Sequence, residues 1–203
     1  MKKYFILPIA FAAITFTACN SSNNKSNESS DMSNDSAQTQ TPADNTAIMP
    51  SSGNDTKADG SIKEIVSGYL NVKNALANDN AKEAATAGKE IVNAMNKLDK
   101  ASLAAEQKKV YEDVEDDAKE HAGHISTNAN KIDHQREHFE TLSEDVYDLV
   151  KTFGAGQTLY QDFCPMYNNN KGATWISETK EIKNPYLGKK MPKCGEIKEK
   201  IKQ

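Results

Sequence analysis

Cys164-Pro165-Met166 sets a thiol and a thioether two residues apart, and Met191-Pro192-Lys193-Cys194-Gly195 repeats the pairing near the C-terminus. The second run has the form of a zinc knuckle, Cys-Pro-x-Cys-Gly, with Met at the first cysteine position. A zinc ribbon needs four Cys or His ligands, and residues 154–203 hold two cysteines and no histidine. Thioethers suit monovalent copper or another soft ion better than zinc. Cys164, Met166, Met191 and Cys194 could surround such an ion if the two turns fold together. The same spacing allows a Cys164–Cys194 disulfide with both methionines as filler, which would contribute ~3.5 kcal/mol in the chain-entropy account. Spacing leaves both open, and redox-switched metal release would make both partly true.

All four histidines, His121, His124, His134 and His138, lie in one short stretch. If the helices on either side reverse about residue 129, His121 is level with His138 and His124 with His134. At about 100° per residue, His121 falls within an apolar stripe, His124 and His138 on its flank, and His134 away from the core. Imidazoles near one seam could ligate a metal in their neutral form, with His121 and His138 as auxiliary ligands to the sulfur set. A hydrogen-bonded core histidine is the plainer role for His121, and a surface position for His134.

His134-Gln135-Arg136-Glu137-His138 matches the inverted zinc-peptidase pattern H-x-x-E-H. That chemistry needs both histidines and the glutamate facing a cleft, with a third ligand from a larger scaffold. Glu-x-x-His occurs nowhere in the chain, which excludes carboxylate-bridged di-iron chemistry of the helical-bundle type. The haem-attachment signature C-x-x-C-H is also missing. No enzyme is expected.

The elements that must position these side chains begin after a long preamble. Lys2-Lys3 precede an apolar run from Tyr4 to Thr17, too short to span a bilayer, and the run ends in Thr17-Ala18-Cys19. This resembles a bacterial lipoprotein cleavage box, with residues 1–18 as signal peptide and Cys19 as the acylated mature N-terminus. Residues 20–60 contain 20 Ser, Asn or Thr and no aromatic. They read as a disordered tether reaching about 35 Å. Asn20 after the cysteine is no strong inner-membrane retention signal. The expected location is therefore the periplasmic face of the outer membrane.

Residues 61–153 carry four amphipathic periods. Ser61 with Glu64 opens the first, to about Ala77, and Asn80 with Glu83 opens the second, to Leu98. The third runs from about Ser102 to Thr127. The fourth starts near Asp133 and carries the seam Ile132, Phe139, Leu142, Val146, Leu149, Phe153, ended by Gly154-Ala155-Gly156. The expected fold is all-α, an up-and-down four-helix bundle (61–153) under an irregular, aromatic-rich cap (154–203). A short hairpin is expected within the cap, between Ala173 to Ile176 and Lys180 to Lys183. Residues 171–203 hold nine lysines against four acids, while residues 61–170 are acidic. Trp175 and the tyrosines should dock the cap, helped by opposite charge. Residues 61–203 together hold 21 bases and 23 acids, without the basic footprint of a nucleic-acid binder.

Tyr69-Leu70, Lys73-Asn74-Ala75-Leu76, Gln135-Arg136 with Phe139 and Leu142-Ser143, Cys164-Pro165-Met166, Trp175, Asn184-Pro185-Tyr186-x-Gly188 and Met191-x-x-Cys194-Gly195 resemble domain-of-unknown-function family 3347. This envelope domain occurs alone in lipoproteins and at the C-terminus of some copper/silver-efflux membrane-fusion (adaptor) proteins. The resemblance implies a helical domain with a role in heavy-metal, chiefly copper, handling, and makes Cys164, Met166, Met191 and Cys194 the metal-site candidates. Tyr167 stands where a small residue often follows the Cys-Pro-Met. No transport role is carried over from the adaptor proteins. The expected function is a lipid-anchored envelope protein that buffers a soft ion or passes it to a metal-efflux or other envelope partner. The alternative is a disulfide-stabilised interaction module.

Overall fold

A computed structural model describes residues 55–202. The expected signal peptide, the acylated Cys19 and nearly all of the tether lie outside the described residues.

Four long helices form where the periodicity places them: α1 covers Asp55–Ala77, α2 Ala81–Lys97, α3 Ala105–Thr127 and α4 Ile132–Phe153. The cap of α2 is reciprocal: the Asn80 carboxamide accepts the Glu83 N–H at 3.2 Å and donates to the Glu83 carboxylate at 2.8 Å. Helix α4 stops at Gly154, whose φ of 73° is costly for a residue with a Cβ. Two boundaries differ from expectation. Helix α1 begins ahead of the Ser61 box, because once a helix is nucleated each added residue gains a hydrogen bond. Helix α3 begins after Ser102, because Asp99 accepts the Ala101 N–H and holds Lys100–Ser102 in a separate 3₁₀ turn.

Helix α1 packs on α2, α2 on α3, α3 on α4, and α4 on α1. Phe139, Leu142, Val146 and Leu149 are buried along the α4 seam, while Ile132 and Phe153 at its ends are only partly covered. Tyr69 of α1 stacks on Phe139 with ring centroids 5.0 Å apart.

The chain is mostly helical but not all-α. Strand β1 (Leu159–Cys164) is the centre of a three-stranded antiparallel sheet, flanked by β2 (Ala173–Ser177) and β3 (Glu196–Ile201). The expected hairpin is therefore corrected: Ala173–Ser177 pairs with β1, Cys164 opposite Ala173 and Tyr160 opposite Ser177, and not with Lys180–Lys183. Strand β1 offers Asp162 and Cys164 two residues apart on the buried face. After β2, by contrast, the Ser177 hydroxyl folds the chain back on Thr179. Between β1 and β2 the chain turns through Asn168, Asn169 and Asn170, all at positive φ, which Asn tolerates better than most residues.

The aromatic docking is as expected. Trp175 is fully buried, Tyr186 packs on Phe139, Tyr167 and Trp175, and the Tyr69 hydroxyl accepts the Ile176 N–H. The electrostatics run the other way. Among the described residues, the ion pairs joining helix to cap are Lys73–Glu178 and Lys151–Glu199, with the cation on the helix each time. Net charge says nothing about which side chains meet at a packed seam. No described helix is long and apolar enough to cross a membrane.

Candidate metal sites

The two sulfur turns converge. Cys164 closes β1 with its side chain fully buried, and Cys194 arrives from the loop before β3. Their Sγ atoms lie 3.2 Å apart as free thiols. That is wider than an S–S bond of about 2.05 Å. It is narrower than the roughly 3.8 Å between two thiolates at ~2.3 Å from one tetrahedral ion.

Asn184 places the second turn. This buried side chain donates to the Cys194 carbonyl at 2.6 Å and accepts the N–H groups of Tyr186 and Leu187 at 2.8 and 2.9 Å. Its own backbone N–H donates to the Pro192 carbonyl, and the Cys194 N–H donates to that of Met191. Pro185 accepts from the Arg136 Nε at 2.9 Å, which ties the loop to α4. Asn184-Pro185-Tyr186 is thus the strut behind Cys194.

Burial and the neighbouring Cys164 sulfur push the Cys194 thiol up, against the Met166 N–H that favours its thiolate. A soft cation between the sulfurs would remove that penalty. Met166 and Met191 are 49% and 39% exposed, so both methionines lie at the surface, two and three residues along the chain from the thiols.

The histidines gather in a cluster of their own. Arg136, Glu140 and Ser143 face the cap or α1 through Pro185, Asn168 and Tyr69. His134 and His138 lie roughly half a turn around α4 from them, toward α3. His121 Nδ1 is 2.8 Å from His138 Nδ1, as the level-pairing arithmetic requires. His124 stacks on His138 with centroids 4.1 Å apart, and His134 Nε2 is 3.2 Å from His138 Nε2. One nitrogen each from His124, His134 and His138 falls within 4.8 Å of the other two. His121 and His138, expected as auxiliary ligands, thus lie in contact with His124 and His134. Sequence reading missed His134. The i, i+4 spacing of His134 and His138 was the available signal, since such side chains stack on one face.

Burial, and then the neighbouring imidazoles of His124, His134 and His121, lower the His138 pKa to about 4. It is the free base at neutral pH. Glu137 holds His134 Nδ1 at 3.1 Å on the helix surface. Glu137 is occupied as an imidazole partner, where the peptidase pattern would want a base facing a cleft.

No curated protein and no solved structure gives a significant match. A family model does match, over residues 65–158, and carries the description "Protein of unknown function (DUF3347)". The match takes in the second half of α1, the whole of α2, α3 and α4 and every histidine, and ends before β1 and the sulfur turns. Over those residues, a little under half of the chain, the protein is similar to the DUF3347 family.

Proposed function

We propose that this protein binds a soft metal ion, with monovalent copper the best fit, and buffers it or passes it to an envelope partner. The observation that carries the reading is the meeting of two free thiols, thirty residues apart in sequence, at 3.2 Å, in turns that each also bear a methionine. Cys164 and Cys194 act as thiolate ligands, and opening the pair by about half an ångström gives the separation two such ligands take. Met166 and Met191 adjust softness and exchange from the surface. The protein works by binding rather than turnover, on an up-and-down bundle of the four helices, and Cys19 anchors it by lipid to the periplasmic face of the outer membrane.

Copper(I) competition against a chromophoric chelator, on reduced protein under anaerobic conditions, tests this. One ion per chain is expected, with at least a hundredfold weaker binding after Cys164→Ser. Equal stoichiometry and affinity in the variant removes the reading.

The same short sulfur separation favours a second reading, a Cys164–Cys194 disulfide that staples an interaction module. Intact mass with and without reductant separates the two. A loss of two hydrogens that persists in protein from metal-replete cells supports the staple.

A further inference from the structure

The α3–α4 hairpin carries a group of side chains that the sulfur reading does not use. Four imidazoles come from the last two turns of α3 and the first two of α4, and they divide by geometry into three donors and one orienting group. His138 Nε2 and His134 Nε2 are 3.2 Å apart. Two nitrogens at ~2.05 Å from one tetrahedral ion stand roughly 3.3 Å apart, nearly the same spacing. The His124 ring, stacked on His138 and edge-on to His134, completes the three.

The partners behind these nitrogens are those a metal site requires. Glu137 Oε2 accepts from His134 Nδ1 at 3.1 Å, which leaves Nε2 with its lone pair. His121 Nδ1 meets His138 Nδ1 at 2.8 Å and, as the acceptor of that bond, would do the same there. A carboxylate or second hydrogen-bonding group on the far nitrogen sets the tautomer of a ligating imidazole. Glu120 lies 3.8 Å from His124 Nε2. Entry is open, because the His124 and His134 side chains are 44% and 37% exposed.

We propose that His124, His134 and His138 form a second metal site, separate from the thiols, for a divalent first-row ion of the imidazole-preferring kind such as zinc or copper(II). His121 and Glu137 are its positioning residues. The ion ties the end of α3 to the start of α4 across the turn at 128–131. The His-x-x-Glu-His run then serves binding, its glutamate orienting a ligand.

The test is calorimetric titration of zinc(II) alone into the full chain carrying Cys164→Ser and Cys194→Ser, so that thiol coordination contributes nothing and the fate of the sulfur reading has no bearing. One zinc per chain at micromolar or tighter dissociation constant is expected. His134→Asn, at the exposed edge, should weaken binding at least thirtyfold while leaving the circular-dichroism melt of the metal-free protein unmoved. His121→Asn should weaken it about tenfold with stoichiometry kept. Histidine side-chain nitrogen chemical shifts should move for His124, His134 and His138 on zinc addition. Absence of saturable binding, or equal affinity in His134→Asn with no nitrogen shift at these rings, overturns the proposal.

Discussion

Lys73 on α1 and Glu178 beyond β2, 105 residues apart, close an ion pair of 2.7 Å in which the lysine is wholly buried. Burial drags the Lys73 ammonium down from its ordinary range, against the pull of Glu178. Burial pushes the Glu178 carboxyl up, but hydrogen bonds from Lys73 and Asn74 outweigh it and hold it below the usual value. Removing one partner strands the other charge. Glu178→Ala should cost about 3–5 kcal/mol in urea unfolding, and the double exchange Lys73→Met with Glu178→Leu should recover most of it. An equally unstable double variant would refute this account.

Asp162 lies beneath the central strand with both carboxylate oxygens unpartnered, and burial raises its pKa to about 7. Asp145 reaches about 7 through burial and then the charges of Asp117, Glu144 and Asp148. Both native values exceed the ordinary 3.8, so the folded chain holds protons that the unfolded chain has lost. Stability should be highest near pH 4 as far as these groups decide it, fall as pH rises to 7, and level off above. The fully buried Asp162 contributes up to about 4 kcal/mol across that window, at about 1.36 kcal/mol per unit, and the partly exposed Asp145 less because solvent screens it. Melting temperatures from pH 4 to 8 check the slope, which should shrink clearly in Asp162→Asn.

The Tyr69 hydroxyl joins three elements: it bonds Ser143 Oγ of α4 at 2.8 Å and accepts the Ile176 N–H of β2 at 2.9 Å. Tyr69→Phe keeps the stack on Phe139 and orphans a buried N–H. The cost should be about 1–3 kcal/mol, with faster hydrogen exchange concentrated at Ile176. Exchange unchanged at that amide would mean the bond holds nothing.

Gly195 follows the second thiol with φ of 148°, and a Cβ there would meet the Trp175 ring at 2.8 Å and the Phe163 carbonyl at 3.0 Å. Trp175 is buried and Phe163 O belongs to the central strand, so neither can retreat. Gly195→Ala should therefore shift Cys194 away from Cys164. Oxidation by a small disulfide, followed by mass, should slow at least tenfold relative to the parent, while the far-ultraviolet helical signal stays.

The amino-acid sequence alone determined the helices and their pairing level. Caps such as Asn80 with Glu83, breakers such as Gly154 and the α4 seam are local signals, and each acts within a turn or two of itself. The equal level of His121 and His138 followed from one short reversal, because a tight antiparallel hairpin leaves little freedom along its axis. Rotation about that axis was another matter. His134 joined the cluster, where a wheel drawn on the core stripe turned it outward, because a first-turn imidazole is long enough to lean across to its i+4 neighbour.

Everything that brings the thiols together was decided by tertiary structure. Cys164 depends on β1 pairing with a strand nine residues on and another at the C-terminus, and Cys194 depends on a loop held by Asn184 and, through Pro185, by Arg136 of α4. Such contacts join residues tens of positions apart. No local propensity encodes their register, since each is chosen by what the finished core can bury and which polar groups it must satisfy.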